Sequence, residues 1–242
     1  MPELSFQVEC AEVVPHAASP LLVFRLRLTN SNPEETIHTV ALRCQIQIEV
    51  TRRKYTQEDQ VRLRDLFDEP SRWGQTLKNL LWTHANIVVP SFLGTTVADL
   101  PVPCTFDFNV AATKYFDGLA DGVVPLCLQF SGTVFYAGAE GRLQVAPISW
   151  DKEARFKLPV KVWRDMMESY YPNSAWLCLH KDAFDRLYEY KVRHGIPSWE
   201  EALERILPVE ETVVPRTSRW WTRSRRRCFT RGTCSIPIVH RR

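Results

Sequence analysis

Val40-Ala41-Leu42-Arg43-Cys44-Gln45-Ile46-Gln47-Ile48-Glu49-Val50 decides the fold class of this 242-residue chain. Val40, Leu42, Cys44, Ile46, Ile48 and Val50 alternate with Ala41, Arg43, Gln45, Gln47 and Glu49. Period-two alternation puts one face on a core and the other in water. A strand buried in a parallel sheet is apolar on both faces, so the reading is an antiparallel sheet. The same alternation precedes this stretch at Leu4, Phe6, Val8 and Cys10, and at Leu22, Phe24, Leu26 and Leu28. A turn signal, Asn30-Ser31-Asn32-Pro33, intervenes. It resumes at residues 86–89, then at Cys104, Phe106, Phe108 and Val110. Leu126, Leu128, Phe130, Val134 and Tyr136 follow, then the shorter Leu143 and Val145. Short strands between turn signals predict an antiparallel β-sandwich, immunoglobulin-like in outline, although the Cys…Trp…Cys spacing of a true immunoglobulin domain is missing.

Two regions break the period. Residues 57–82 read as a helical insertion covering one end or edge of the sandwich. Residues 57–68 look helical, and Trp73, Leu77, Leu80 and Leu81 share one face of a second helix after Pro70. From Leu158 onward the period is again helical: Val160, Trp163, Met167 and Tyr170, stopped by Pro172. A further helix is predicted over residues 182–194, with Gly195 at its C-cap. Ser198-Trp199-Glu200-Glu201 reads as a capping box ahead of Ala202, Leu203, Ile206 and Leu207. A short strand fits residues 175–179. The expectation is an α+β chain: a β-sandwich domain over 1–157 with the 57–82 insertion, a helical segment over 158–207 packed on it, and an Arg-rich disordered tail over 208–242.

Charge is unevenly placed. Residues 208–242 hold nine Arg and two acids, net +7, leaving 22 basic and 26 acidic residues in 1–207, net −4. Seven widely spaced Cys without an export signal read as reduced thiols in a cytoplasmic protein. The best apolar run, residues 87–93, is too short for the ~20 residues of a membrane helix, so no membrane insertion is expected. Sixteen Pro against nine Gly speak against a Gly-rich phosphate-cradling enzyme.

Motifs for catalysis are missing: there is no Gly-x-Ser-x-Gly, His-Glu-x-x-His, Gly-x-x-x-x-Gly-Lys or Gly-x-Gly-x-x-Gly. Cys228, Cys234 and His240 fall one ligand short of a zinc site, and Cys178 with His180 lacks a third ligand. Asp117 and Asp121 read as turn residues. The expectation is no catalytic residue, no metal and no cofactor. Trp73, Trp82, Trp150, Trp163, Trp176 and Trp199 read for the most part as core packing. Tyr115, Phe116 and Tyr171 fall in predicted loops, and with Trp176 they are the candidate partner-binding residues, because loop aromatics dominate interface hot spots. The alternative is nucleic-acid binding through Arg223, Arg225, Arg226 and Arg227, beside Trp220 and Trp221. Against it stands a solvated appendage, or a C-terminus read in a shifted frame.

Seven strings carry a resemblance. They are Trp73-Gly74-Gln75-Thr76-Leu77, Leu80-Leu81-Trp82-Thr83-His84, Asp99-Leu100-Pro101-Val102-Pro103-Cys104-Thr105-Phe106-Asp107, Ala111-Ala112-Thr113-Lys114-Tyr115-Phe116, Phe130-Ser131-Gly132-Thr133-Val134-Phe135-Tyr136, Gln144-Val145-Ala146-Pro147-Ile148-Ser149-Trp150-Asp151 and Pro172-Asn173-Ser174-Ala175-Trp176. Over residues 3–207 the chain resembles an uncharacterised bacterial family, a domain of unknown function encoded beside actinobacterial-type nickel–iron uptake hydrogenases. The resemblance implies a cytoplasmic accessory role near hydrogenase assembly, and the expectation drawn beside it is a non-enzymatic protein whose partner is a hydrogenase subunit or maturation factor. The resemblance supplies no site residues; a homo-oligomer is left open. The tail beyond Leu207 is not part of it.

Overall fold

The computed structural model describes residues 2–105, 109–138, 141–177 and 179–207. The chain divides into two compact units, at residues 176 and 177. Among the described residues the first holds eight strands: β1 (Leu4–Val13), β2 (Leu21–Asn30), β3 (Ile37–Ile48), β4 (Leu80–Val89), β5 (Thr95–Pro103), β6 (Val123–Ala137), β7 (Leu143–Pro147) and β8 (Glu153–Pro159). One antiparallel sheet has the order β1-β2-β5. The other has the order β4-β3-β6, with β7 and β8 both pairing with β6. The alternating residues behave as read. Leu22, Phe24, Leu26 and Leu28 of β2, and Val40, Leu42, Cys44, Ile46 and Ile48 of β3, are all buried in one shared core. Rings join the two sheets across it: Phe6 stacks on Phe130 at 4.3 Å, and Phe24 meets Trp82 and Phe156 edge-on at 6.2 and 5.8 Å.

Between β3 and β4 run three short helices, α1 (Gln57–Arg62), α2 (Arg64–Phe67) and α3 (Trp73–Thr76). A capping box starts α1: Asp59 N donates to Thr56 Oγ1 and Thr56 N to Asp59 Oδ2, each at 3.1 Å. The helical reading of Trp73 to Leu81 is corrected. Only residues 73–76 coil, and Leu80 opens β4 opposite Ile48. Leu77, Leu80 and Leu81 fit a helical face, but Leu80 and Trp82 fit an alternating one equally well, and pairing with β3 decides.

The predicted strand from Cys104 to Val110 is also corrected. The strand here is β5, ending at Pro103, and Val110 opens helix α4 (Val110–Gly118). Phe106 and Phe108 lie outside the described residues. Pro101 and Pro103 hid β5 from a sequence reading; both are tolerated because it is an edge strand. Asn109 starts α4 by accepting from Ala112 N at 3.0 Å. Helix α5 (Val160–Tyr170) buries Val160, Trp163, Met166 and Met167 and lies in the first unit. Tyr170 Oη donates to Val14 O and accepts from Ala17 N, both at 2.9 Å.

The described part of the second unit is a helical pair, α6 (Lys181–Arg193) and α7 (Trp199–Ile206). Gly195 takes φ +61° just past α6, as a C-terminal glycine should. Ser198 caps α7 by accepting from Glu201 N at 3.1 Å, but the reciprocal half of the box is replaced: Glu201 instead accepts from Arg205, one turn on, at 2.5 Å. The described residues of 175–179 form no strand.

Candidate protein-interaction surface

Tyr115 and Phe116 are core residues. They sit on α4, 0% and 1% exposed, so no partner reaches them, and their loop placement is corrected. A single turn of small residues, Ala111-Ala112-Thr113, sets the helix, and its apolar face packs inward. Phe116 stacks on Trp163 at 4.6 Å. Tyr115 Oη meets Tyr55 Oη at 2.9 Å, and burial pushes both phenols up from their usual range. Asp117 also lies on α4 rather than in a turn.

This tyrosine pair borders a buried ion pair. Arg53 and Asp59 are 3.6 Å apart with side chains 8% and 1% exposed. Arg53 also donates to Asp121 O at 2.5 Å and Val123 O at 2.6 Å, and Asp59 Oδ1 accepts from Ala120 N at 2.8 Å. The network fastens the α1 region to the loop ahead of β6. Its partners are mostly backbone, which is the pattern of a structural tie.

Thiol chemistry is suppressed. Burial pushes Cys44 and Cys104 up to about 12, and Cys127 up to about 11 with help from Glu153, from which it is 3.5 Å away. A buried thiol with a raised pKa favours the neutral form in the folded chain, so its contribution to stability holds below pH 9 and is lost as pH climbs toward 12. Alkylation at pH 8 with mass-spectrometric mapping is expected to label half-buried Cys10 well before Cys44 and Cys104, which label only after denaturation. Equal native labelling of Cys44 and Cys10 would contradict this packing.

Among the described residues no group of three or more His, Cys, Asp and Glu could hold a metal ion. Cys178, Cys228, Cys234 and His240 lie outside them, as do Arg223, Arg225, Arg226 and Arg227. Among the described residues no helix is long and apolar enough to cross a membrane.

Exposed aromatics mark the surface. Trp176 is 60% exposed, and its ring meets half-buried Tyr171 edge-on at 5.5 Å, so these two expected candidates stand together after α5. Trp150, read as core, is 92% exposed and is the correction of most consequence. It tips the turn where the edge of the five-stranded sheet passes from β7 to β8. Two backbone bonds clamp that turn to β6, Ile148 N to Gly132 O and Phe130 N to Lys152 O, both 2.9 Å. Leu143 and Val145, on the outer face of β7, are 64% and 58% exposed. A sequence signal existed: Ser149-Trp150-Asp151 interrupts the alternation between two short strands, as a turn does. In the second unit Phe184, Tyr188 and Trp199 form a ring cluster, with the Lys191 ammonium 5.4 Å above Trp199.

A protein-family model described as "Family of unknown function (DUF6084)" matches residues 1–215, which stops one residue before the first tail arginine, Arg216. No curated protein matches the chain. Among solved structures, a candidate late embryogenesis abundant (LEA) protein is 15% identical over 66% of this chain and 72% of its own, with TM-score 0.28. A β-glucosidase from Kluyveromyces marxianus is 6% identical over 64% of this chain and 15% of its own, with TM-score 0.23. A candidate ApaA protein from Bordetella pertussis is 14% identical over 65% of this chain and 93% of its own, with TM-score 0.22. These scores are too low to define a common fold.

Proposed function

We propose, from the premise that this chain belongs to the DUF6084 family of unknown function, that it is a non-enzymatic, cytoplasmic accessory protein. It binds a subunit or maturation factor of a nickel–iron hydrogenase through a protein surface. The observation that carries this reading is Trp150, held outward on a clamped turn that follows β7, the strand carrying exposed Leu143 and Val145. An indole offers roughly 200 Å² of surface, worth about 5 kcal/mol gross at ~25 cal/mol per Å² when a partner covers it. A turn fixed by backbone bonds loses little entropy on docking, so much of that gain is kept. The strand order β1-β2-β5 against β4-β3-β6 with β7 and β8 supports the immunoglobulin-like outline, a frame whose edges and turns commonly carry recognition.

The test is capture with the full chain from a hydrogenase-expressing host. Recovery of a hydrogenase subunit or maturation factor is expected, and Trp150→Ala is expected to lower it at least tenfold with an unchanged melting temperature. Recovery of neither class by the intact chain, or undiminished capture by Trp150→Ala, overturns the reading.

A further inference from the structure

The opposite edge of the same sheet is independent of that reading. Four edge strands are blocked against further pairing in the usual ways. β1 carries Glu9, Glu12 and a register shift between Val8 and Cys10; β5 carries Asp99, Pro101 and Pro103; β7 is five residues long and ends at Pro147; β8 carries Glu153, Arg155, Lys157 and Pro159. β4 runs ten residues, Leu-Leu-Trp-Thr-His-Ala-Asn-Ile-Val-Val, with no Lys, Arg, Asp, Glu or Pro.

Hydrogen-bond parity shows which of its groups point away from β3. Glu49 N donates to Pro125 O at 2.9 Å, so alternation directs Gln47, Gln45, Arg43 and Ala41 toward β6. Val40, Leu42 and Cys44 therefore bond β4 at Val89, Ile87 and Ala85. The N–H and C=O groups of His84, Asn86 and Val88 point out of the free edge. Among the described residues no backbone group outside the sheet bonds to them, and His84 O accepts only from the neighbouring Thr83 Oγ1, at 3.2 Å, which leaves its second lone pair for a partner strand. Open depressions of about 360 and 490 Å³ flank this stretch, both bordered by Ile87 and Val88, and Val88 is 74% exposed.

We propose that this edge pairs with the same edge of a second copy, antiparallel about a two-fold axis at Asn86. In that register Asn86 faces Asn86 of the partner subunit, His84 faces Val88 of the partner subunit, and Ala85 faces Ile87 of the partner subunit. No like charges oppose, and a small side chain meets a large one. The ends also match. One step beyond, Trp82 would need to accept from a residue 90 nitrogen, but Pro90 has no N–H. Trp82 O is instead satisfied within its own chain, by Asn109 Nδ2 at 2.8 Å. The bond from residue 90 to Trp82 O is therefore excluded on both sides, which weakens the ladder beyond the His84–Val88 pair. A closed two-fold pairing also removes the edge that would otherwise template aggregation.

The full chain is expected to elute at twice its monomer mass in light-scattering chromatography at tens of micromolar. Asn86→Lys and Asn86→Asp are each expected to be monomeric, through like charges on the axis, and to dimerise with each other when mixed. Asn86→Cys is expected to form an 86–86 disulfide on mild oxidation, because a hydrogen-bonded antiparallel pair sets Cα atoms ~5.5 Å apart, within disulfide reach. A monomeric wild type, or a dimer that survives both charge variants and gives no 86–86 crosslink, overturns the proposal.

Discussion

Replacing Asp59 with Ala is expected to destabilise the chain by about 4 kcal/mol in urea unfolding followed by circular dichroism. The magnitude follows from what is left behind. Arg53 stays buried at 8% exposure, with the carbonyls of Asp121 and Val123 and the Tyr55 ring 5.9 Å away, no counter-charge, and a buried Nε that has no hydrogen-bond partner among the described residues. An uncompensated buried cation of this kind costs ~3–5 kcal/mol. The substitution also frees Ala120 N and removes half of the α1 capping box, each about 1 kcal/mol of the same loss. Asp59→Asn keeps an acceptor for Ala120 N but no charge, so roughly half the loss is expected. Removing both charges tests the mechanism. Arg53→Met with Asp59→Ala is expected to be more stable than Asp59→Ala alone, because the orphaned guanidinium is gone. A single-variant loss under 1 kcal/mol would mean that water reaches the pair.

That ion pair was invisible to sequence reading, and the reason is general. Period-two runs report burial residue by residue: β3 kept its predicted face from Val40 to Ile48, although Val50 lies in a 3-10 turn past the strand's end, and β6 kept its own at Leu126, Leu128, Phe130, Val134 and Tyr136. Arg53 and Asp59 report nothing alone; each is an ordinary surface type, and only the fold of 53–59 against the 119–123 loop brings them together with their carbonyls. Short elements fail for a related reason. α4 and α3 hold too few turns to show a period, so Tyr115 and Phe116 passed for loop aromatics. Trp150 failed in the other direction. Hydrophobicity predicts burial for a Trp on average, but a side chain at the tip of a turn has nothing above it to pack against.

Gly132 controls the position of that turn, and Gly132→Ala is expected to cost about 4 kcal/mol. Its φ is +138°, and an added Cβ would stand 2.0 Å from the Ala41 carbonyl oxygen. A side-chain neighbour could rotate away. A carbonyl bound into the β3–β6 ladder cannot, so relief requires opening the two longest strands at Leu42, opposite Gly132. Backbone strain of ~1–3 kcal/mol adds to the ladder bonds lost, about 1 kcal/mol each. Gly141→Ala is the control: φ is +72°, also unfavourable, but among the described residues nothing lies within 4 Å of the new Cβ. It is expected to cost about 1 kcal/mol, and the difference isolates the steric term. The two variants also separate in function. Gly132 O holds Ile148 N, one of the two bonds clamping the Trp150 turn, so at temperatures where Gly132→Ala remains folded its partner capture should fall along with its stability. Gly141→Ala should capture as wild type does. Equal stability losses in the two variants would show that the strands yield at Gly132 and that the close approach to Ala41 does not hold the turn in place.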